Sequence, residues 1–303
     1  MSESFQLERS GGHSLHVSCQ GNRNARPVLF LHGGPGSGCN ESQQGLFDPE
    51  RHFAVFLDQR GAGKSRPKGA RHANSTQDLI GDIEALRDHL GFERWMVVGG
   101  SWGATLALAY AQAHPQRVSA MALRAVFLGT RSELDWAFGT ALAQFLPKLY
   151  KEFLAALPKA ERGDPLAAYW RRILDPDPAL HAKAAWIWHD VERALSNIEI
   201  GSEALPAHDP KDPLPSTPFM EAHYFANNCF LEEGQLLRDL PLIAHIPAVL
   251  VQGRYDLLCP PATTARLAQD WPAASVVMVE QAGHSMAHNA VFAALKRAIK
   301  DLA

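Results

Sequence analysis

Short apolar runs that alternate with helix-forming segments constrain the fold of this chain more than any other feature. The runs are continuous and rich in Val, Ile and Phe, which is typical of central strands in a parallel sheet that is covered on both faces. They lie at residues 27–33, 53–61, 94–100, 118–129, 247–253 and 274–280. The alternation therefore predicts an α/β fold with a mostly parallel central sheet and helices on both faces.

Two further segments refine this prediction. Residues 13–20 alternate between apolar and polar side chains, which predicts an edge strand. Residues 74–91 begin with capping residues and end on Gly91, which predicts a helix. The buried face of that helix is predicted to consist of Leu79, Ile83, Leu86 and Leu90.

The alternation stops between residues 130 and 240. This stretch has Trp and Leu at helical spacing, many prolines and no convincing strand, and a proline-rich connection spans residues 205–218. We predict a discontinuous α/β domain over residues 1–129 and 241–303, with residues 130–240 inserted as a helical cap domain.

Composition excludes several classes of function. The 303-residue chain is 46% hydrophobic, which suffices for a large core, and its net charge of −3 with scattered Lys and Arg argues against nucleic-acid binding. No apolar stretch has the length and continuity of a membrane span, and the first residues lack a signal-peptide pattern. Four widely separated cysteines predict free thiols in a reducing compartment, so we expect a cytoplasmic protein.

Residues 97–110, VVGGSWGATLALAY, join a buried strand to an apolar helix at a single serine. Ser101 has a glycine two residues before it and another two residues after it, so that a sharp turn closes without clashes. This Gly-x-Ser-x-Gly pattern is a nucleophile elbow, which holds the hydroxyl exposed. It also puts the N–H of Trp102 at a helix N-terminus, where it stabilises a developing negative charge. We predict that Ser101 is a catalytic nucleophile.

A serine nucleophile needs a base, and on this kind of fold an acid and then a histidine follow the serine along the chain. Asp256 and His284 each come directly after a predicted strand, so both are expected at the carboxyl edge of the sheet. His284 is the predicted general base, and Asp256 orients it. His288 and His223 are the competing histidines. A zinc site from His284 and His288 lacks a third ligand, so no metal is predicted.

Two loops complete the predicted site. HGGPGSG at residues 32–38 follows a predicted strand, and its glycines allow close approach to substrate, so Gly34 is predicted as the second oxyanion donor. DQRGAGKS at residues 58–65 ends like a phosphate-binding loop, but Asp58 stands where that motif requires glycine. We predict a loop that supports the active-site wall, and no cofactor.

Several of these motifs together resemble those of the proline iminopeptidases, serine exopeptidases with an α/β-hydrolase fold and a helical cap. They are HGGPG, DQRGAGKS, GGSWGATLALAYAQAHP, GRYDLLCP and AGHS, and the similarity extends over nearly the whole chain. The resemblance implies release of an N-terminal proline from peptides with a free amino terminus. It also implies that the family's catalytic serine, aspartate and histidine correspond to Ser101, Asp256 and His284.

The family's cap also supplies acidic residues that bind the free α-amino group of the substrate. WHDVERALS at 188–196 and FMEAHYFANNCFL at 219–231 resemble the two family segments concerned, which implies that Glu192 and Glu221 hold these roles. The chain departs from the family at Val191, where the pattern has Trp, and after GHS, where it reads MAHN. The cap is also somewhat shorter than usual. These departures concern the substrate pocket and leave the predicted triad intact.

Three functions follow from this sequence. The first is a cofactor-free serine aminopeptidase of the proline iminopeptidase type, and the second is an esterase or amidase on the same scaffold without proline specificity. The third, a non-catalytic binding protein, is disfavoured because nucleophile, base, acid and glycine loop are all present. Cys259 lies three residues after Asp256, so thiol reagents are expected to inhibit by crowding the site. The sequence makes no prediction of oligomeric state.

Overall fold

The computed structural model describes residues 2–197, 204–209 and 211–302, and these residues contain an eight-stranded sheet. Its strands are β1 (Ser2–Arg9), β2 (His13–Gly21), β3 (Arg26–Leu31), β4 (His52–Leu57), β5 (Trp95–Ser101), β6 (Val118–Val126), β7 (Ala248–Gly253) and β8 (Ala274–Val279). Their order is β1-β2-β4-β3-β5-β6-β7-β8. The pairs β1–β2 and β2–β4 are antiparallel, and all pairs from β4 to β8 are parallel. The predicted mostly parallel sheet is therefore confirmed.

The edges of the sheet differ from the prediction. The alternating segment at residues 13–20 lies in β2, one strand inside the sheet, so its assignment as an edge strand was wrong. The edge is β1, whose polar sequence SESFQLER contains no apolar run that would mark a strand. The apolar run at residues 118–129 continues beyond β6, which ends at Val126, and Ala125 near that end has a positive φ of 49°.

Five α-helices occur among the described residues of the part of the chain that builds the sheet. They are α1 (Glu41–Gln44), α2 (Thr76–Leu90), α3 (Trp102–Ala113), α11 (Pro261–Gln269) and α12 (Asn289–Asp301). The predicted helix corresponds to α2: Ser75 caps it in a reciprocal pair with Asp78, and Gly91 ends it in the left-handed conformation. Its four predicted core residues are buried, which confirms the amphipathic prediction.

Residues 130–240 form a helical segment, and no strand occurs among its described residues. Its α-helices are α4 (Arg131–Asp135), α5 (Leu142–Phe145), α6 (Pro147–Ala155), α7 (Pro165–Ile173), α8 (Pro178–Ser196), α9 (Thr217–Phe225) and α10 (Gln235–Arg238), and a π-helical turn at Trp136–Ala141 joins α4 to α5. Residues 198–203, and Pro210 within the predicted proline-rich connection, lie outside the described residues.

Alternate side chains of the central strands enter two separate cores. In β3, Val28 and Phe30 pack with residues of α12, whereas Leu29 and Leu31 pack with residues of α2 and α3. Buried side chains of the helical segment, such as Trp188, belong to the core that contains Leu29 and Leu31. Burial on both faces explains why the central strands are continuous apolar runs.

The topology brings two loops together at the carboxyl edge of the sheet. β4 lies on one side of β3 and β5 on the other, so the loops that follow β3 and β5 diverge and leave a crevice between them. The glycine loop after β3 therefore faces Ser101: a Cβ on Gly33 would lie 3.7 Å from the Cβ of Ser101.

No described helix has the length and hydropathy needed to span a membrane.

Candidate active site

Ser101 lies at a strained turn between β5 and α3. Its φ of 56° and ψ of −125° fall outside the usual regions for a residue with a side chain. The flanking glycines make the turn possible, because a Cβ on Gly99 would collide with the carbonyl of Gly103, and one on Gly103 with the carbonyl of Leu31. Trp102 is the first residue of α3, where backbone N–H groups have no acceptor within the helix.

Asp256 and His284 contact each other across the loops that follow β7 and β8. Nδ1 of His284 lies 2.9 Å from Oδ2 and 3.1 Å from Oδ1 of Asp256. The backbone N–H groups of Leu258 and Cys259 donate to Oδ1 of Asp256, at 3.0 and 2.8 Å. Because an ionised carboxylate only accepts hydrogen bonds, the proton in the contact belongs to Nδ1, which leaves Nε2 of a neutral ring free to act as a base.

Two further hydrogen bonds fix the backbone of the His284 loop. Arg124, at the end of β6, donates from Nη1 to the carbonyl of His284. The N–H of Ser285 donates to the carbonyl of Ser196 at 3.2 Å, which ties this loop to the last residue of α8. The position of the histidine therefore depends on the sheet and on the helical segment together.

Arg124 is a buried cation without an ion-pair partner among the described residues. Burial lowers the pKa of its guanidinium, and the charge of Asp256 partly offsets that effect. Its Nε has no acceptor, and it occupies the space above Gly100, where a Cβ would lie 2.7 Å from Nε. The second glycine of the GGSWG motif thus leaves room for Arg124.

Ser101 opens into a small cavity between the sheet and the helical segment. Its walls are Gly34, Phe127, Glu133, Leu134, Ala137, Phe138, Glu192, Phe225, Leu258 and Cys259. Within the described residues the Ser101 hydroxyl has no hydrogen bond to His284 and instead lies against the Cys259 thiol, whose pKa is raised well above its ordinary value by burial. Contacts between catalytic groups commonly tighten only when substrate binds.

A buried polar network holds the glycine loop after β3. The N–H of Gln59 donates to Nε2 of His32 at 3.1 Å, so Nδ1 of the neutral ring carries the proton and donates to the carbonyl of Gly33 at 2.9 Å. The Gln59 side chain donates to the carbonyl of His32 and accepts from the indole of Trp102 at 2.8 Å. The predicted supporting role of residues 58–65 agrees with these contacts.

Glu192 and Glu221 are brought together behind the Ser101 cavity. Glu221 is 1% exposed, and its Oε2 accepts from Nε1 of Trp188 at 2.6 Å, while Oε1 has no hydrogen-bond partner among the described residues. Burial raises the pKa of Glu221 well above its ordinary value, and the charge of Glu192 raises it further. Burial also raises the pKa of Glu192, although His284 nearby opposes that shift. Burial therefore disfavours ionisation of both carboxyl groups.

Helix α9, which carries Glu221, packs against the residue that follows Ser101. The ring of Tyr224 lies 4.6 Å from that of Trp102, and its hydroxyl donates to Oδ1 of Asn74 at 2.7 Å. His223 contacts the carbonyl of Asn74 through Nε2 at 2.8 Å, so this histidine is engaged away from Asp256. His288 precedes α12 as its N-cap residue.

Sequence reasoning missed several residues of this site. Arg124, Glu133 and Asn74 are far from the motifs in sequence, and only the topology brings them to the cavity or to α9. A charged residue inside the apolar run at 118–129 was the one available signal for Arg124. Among the described residues, no group of three or more His, Cys, Asp and Glu side chains could hold a metal ion.

Known proteins resemble this chain over most of its length. A sequence model of the alpha/beta hydrolase fold matches residues 26–290. The chain is 42% identical over 274 residues to the proline iminopeptidase of Xylella fastidiosa, across 90% of this chain and 88% of the relative. It is 41% identical over 285 residues to the proline iminopeptidase of Arabidopsis thaliana, across 93% of this chain and 75% of the relative. The chain belongs to the proline iminopeptidase family.

Solved structures extend the likeness in fold. A proline iminopeptidase-related protein of Thermus thermophilus superposes with a TM-score of 0.63 at 20% identity, across 100% of this chain and 98% of that one. An epoxide hydrolase of Vigna radiata superposes equally well, with a TM-score of 0.63 at 18% identity, across 99% and 97%. The fold is therefore shared by proteins named for different reactions, and substrate class has to be argued from the residues of the site.

Proposed function

We propose that this enzyme releases N-terminal proline from peptides through a Ser101–His284–Asp256 triad and an acyl-enzyme intermediate. The proposal depends on one observation: Glu192 lines the cavity that contains Ser101, and Glu221 lies beside it. A carboxyl pair close to a nucleophile binds the amino terminus of the substrate and thereby places the first peptide bond at the nucleophile. Cleavage of that bond is the property of an exopeptidase. The 42% and 41% identical relatives named proline iminopeptidase support the same assignment.

The acylation step uses His284 and Asp256, which already contact each other, and Ser101, whose hydroxyl has to turn from Cys259 toward Nε2 of His284. Nε2 of His284 takes the proton of the Ser101 hydroxyl as Oγ attacks the scissile carbonyl, and the Asp256 carboxylate stabilises the imidazolium. The N–H groups of Trp102 and Gly34 stabilise the oxyanion, and each such donor contributes roughly 3 kcal/mol. His284 then protonates the leaving amine. Water, activated by the same ring, attacks the prolyl ester in turn and releases proline.

Recognition of the amino terminus follows from the two carboxyl groups. In the free enzyme burial raises the pKa of both carboxyl groups, whereas a bound ammonium supplies a positive charge that favours their ionised forms. A blocked amino terminus brings no such charge and leaves Oε1 of Glu221 unpaired. An N-acylated proline substrate is therefore rejected.

The cavity next to Ser101 suits a compact apolar side chain. Phe127, Phe138 and Phe225 surround it with ring faces and edges, and Leu134 and Ala137 complete the wall. The pyrrolidine ring of proline has no side-chain hydrogen-bonding group, so it leaves no polar atom unsatisfied in such a pocket. In this proposal residues 1–129 and 241–303 form the catalytic domain and residues 130–240 the cap, and the free thiols suit a cytoplasmic enzyme.

The test compares three substrates with wild type and Ser101→Ala. They are prolyl-p-nitroanilide, N-acetyl-prolyl-p-nitroanilide and p-nitrophenyl acetate. We expect strong turnover of the free-amine anilide, little of the acetylated one, and a loss of at least about 10⁴-fold in Ser101→Ala. Ser4→Ala, at an exposed position of β1, is the matched control.

Other outcomes would separate the alternatives. Turnover of the ester with no anilide cleavage would leave a triad esterase and remove the proposed specificity. Equal cleavage of the free and acetylated anilides would contradict the amine-binding role of Glu192 and Glu221. Activity that survives in Ser101→Ala would contradict the nucleophile.

A further inference from the structure

An apolar groove of about 410 Å³ lies next to the Ser101 cavity. The same three chain segments, residues 134–138, 192–197 and 256–261, contribute walls to both spaces. The apolar side chains of the groove are those of Trp136, Phe145, Leu146, Ala194, Tyr255 and Leu257. Because each segment has one side toward Ser101 and another toward the groove, the two spaces are neighbours.

The groove contains some of the most exposed large apolar side chains of the described residues. Phe145 from the helical segment is 57% exposed, and Tyr255 from the loop after β7 is 53% exposed. Concentrated exposed aromatic surface beside a catalytic cavity is typical of a binding site.

We propose that this groove binds the side chain of the residue after the scissile bond, and that the enzyme prefers peptides with a large apolar residue at that position. The inference depends on the proposed function. With the amino terminus held at Glu192 and the carbonyl at Ser101, the rest of the peptide has to leave the cavity past His284, which protonates the departing nitrogen. The partner of His284, Asp256, is itself part of the groove wall, so the groove begins where the leaving residue emerges.

The charges around the groove favour recognition of a side chain rather than of a terminal carboxylate. Arg254 borders the groove, but its guanidinium donates to Glu280 through two hydrogen bonds of 2.7 and 3.1 Å. That pairing offsets the charge of the arginine and occupies two of its donor groups. A longer peptide, which has no carboxylate at its second residue, is therefore expected to bind as well as a dipeptide. The free energy that favours one side chain over another comes from the apolar surface that it covers.

The experiment measures one ratio in several proteins. kcat/KM is determined for Pro-Leu-Gly-amide and Pro-Gly-Gly-amide with wild type, Phe145→Ser, Tyr255→Ser and Leu242→Ser. We expect the leucine peptide to be favoured about tenfold by the wild type, the magnitude of a partly covered leucine side chain. Each groove substitution should reduce the ratio to below about threefold. Leu242 is equally exposed, at 53%, but does not border the groove, so its variant should keep the ratio.

The ratio is internal to each protein, so a general loss of activity cancels. An equal rate for the two peptides in wild type, or an unchanged ratio in both groove variants, would overturn the inference. If wild type cleaves neither peptide, the proposed function fails instead. The groove is then judged by binding of the same two peptides to Ser101→Ala in calorimetry, where equal Kd values would overturn it.

Discussion

Two buried carboxyl groups of this site, Asp256 on the sheet side and Glu221 on the helical side, have opposite surroundings. Asp256 accepts two backbone N–H bonds and contacts His284. Glu221 is as deeply buried, but it accepts one indole N–H, and its second oxygen has no partner within the described part of the chain. Asp256 thus has its hydrogen bonds in the free protein, whereas Glu221 has an oxygen without one; we call these the proposed catalytic side and the proposed recognition side of the site.

This difference indicates how the site divides its tasks. A preorganised acid and base need no rearrangement during the reaction, which favours catalysis. An unsatisfied carboxyl costs about 1–3 kcal/mol in the free enzyme, and only a ligand that brings a cation removes that cost.

The largest expected effect is a loss of kcat on substitution of Asp256, on the proposed catalytic side. Asp256→Asn keeps the shape of the acid but turns an amide toward His284 or favours the wrong tautomer, so kcat for prolyl-p-nitroanilide should fall about 10⁴-fold with little change in KM. Steady-state kinetics measures it. Asp270→Asn, an exposed acid at the end of α11, is the control. A loss of less than tenfold would contradict the assignment of Asp256.

The next effect breaks the recognition side alone. Glu221→Gln preserves the hydrogen bond from Trp188 and removes the charge, so kcat/KM for prolyl-p-nitroanilide should fall about 30-fold to 100-fold, the magnitude of a lost charge-assisted bond. Any hydrolysis of p-nitrophenyl acetate should stay within about twofold, because that ester has no amine. Glu161→Gln, in a partly buried ion pair with Arg172, should change neither rate. Parallel losses on both substrates would show that Glu221 acts on the triad.

A smaller effect concerns the buried cation beneath the base. Arg124→Met removes the bond to the carbonyl of His284, so kcat should fall about tenfold on amide and ester alike while KM changes little. Arg124→Lys should recover part of the loss because it keeps a buried donor and a charge. Trp271→Phe, which removes another buried bond to a backbone carbonyl away from the site, controls for lost stability. Identical kcat values in Arg124→Met and Trp271→Phe would contradict a positioning role.

The smallest expected effect is on thermal stability, and it is seen by comparing wild type with Glu221→Gln at two pH values. Burial raises the pKa of Glu221 above its ordinary value of 4.5, so the folded protein holds a proton that the unfolded chain releases. Stability from this group is therefore complete below pH 4.5 and falls as pH rises toward the folded pKa. Glu221→Gln lacks this loss, so its melting temperature should exceed that of wild type by a few degrees at about pH 8 and by less at about pH 5. Thermal unfolding at both pH values measures it, and an equal difference at both would contradict the argument.

The sequence predicted what is local and what the topology makes unavoidable. The elbow at Ser101 needs two glycines at fixed spacing, and Asp256 and His284 follow strands, so their meeting at one edge is a property of parallel sheets. The four apolar residues of α2 were predictable because one helix face has a period of about 3.6 residues.

The remainder depends on packing between distant segments. That β1 forms the edge of the sheet follows from its pairing with β2, not from its own polar sequence. Glu192 and Glu221 meet only because α8 and α9 pack together, and from residues alone they resemble ordinary surface acids until the family resemblance suggests otherwise. Arg124 was missed because a single charged residue in an apolar run forms no periodic pattern from which its position could be predicted.

The contact between Gly100 and Arg124 has a consequence for how this family varies. A side chain at position 100 would push the guanidinium away from the carbonyl it holds, so the chain would still fold but the base would lose its support. The two positions are therefore not free to change independently. In a large set of related sequences, we expect alanine or serine at position 100 to occur together with a shorter residue at position 124, so that these two neighbours on adjacent strands evolve as a pair.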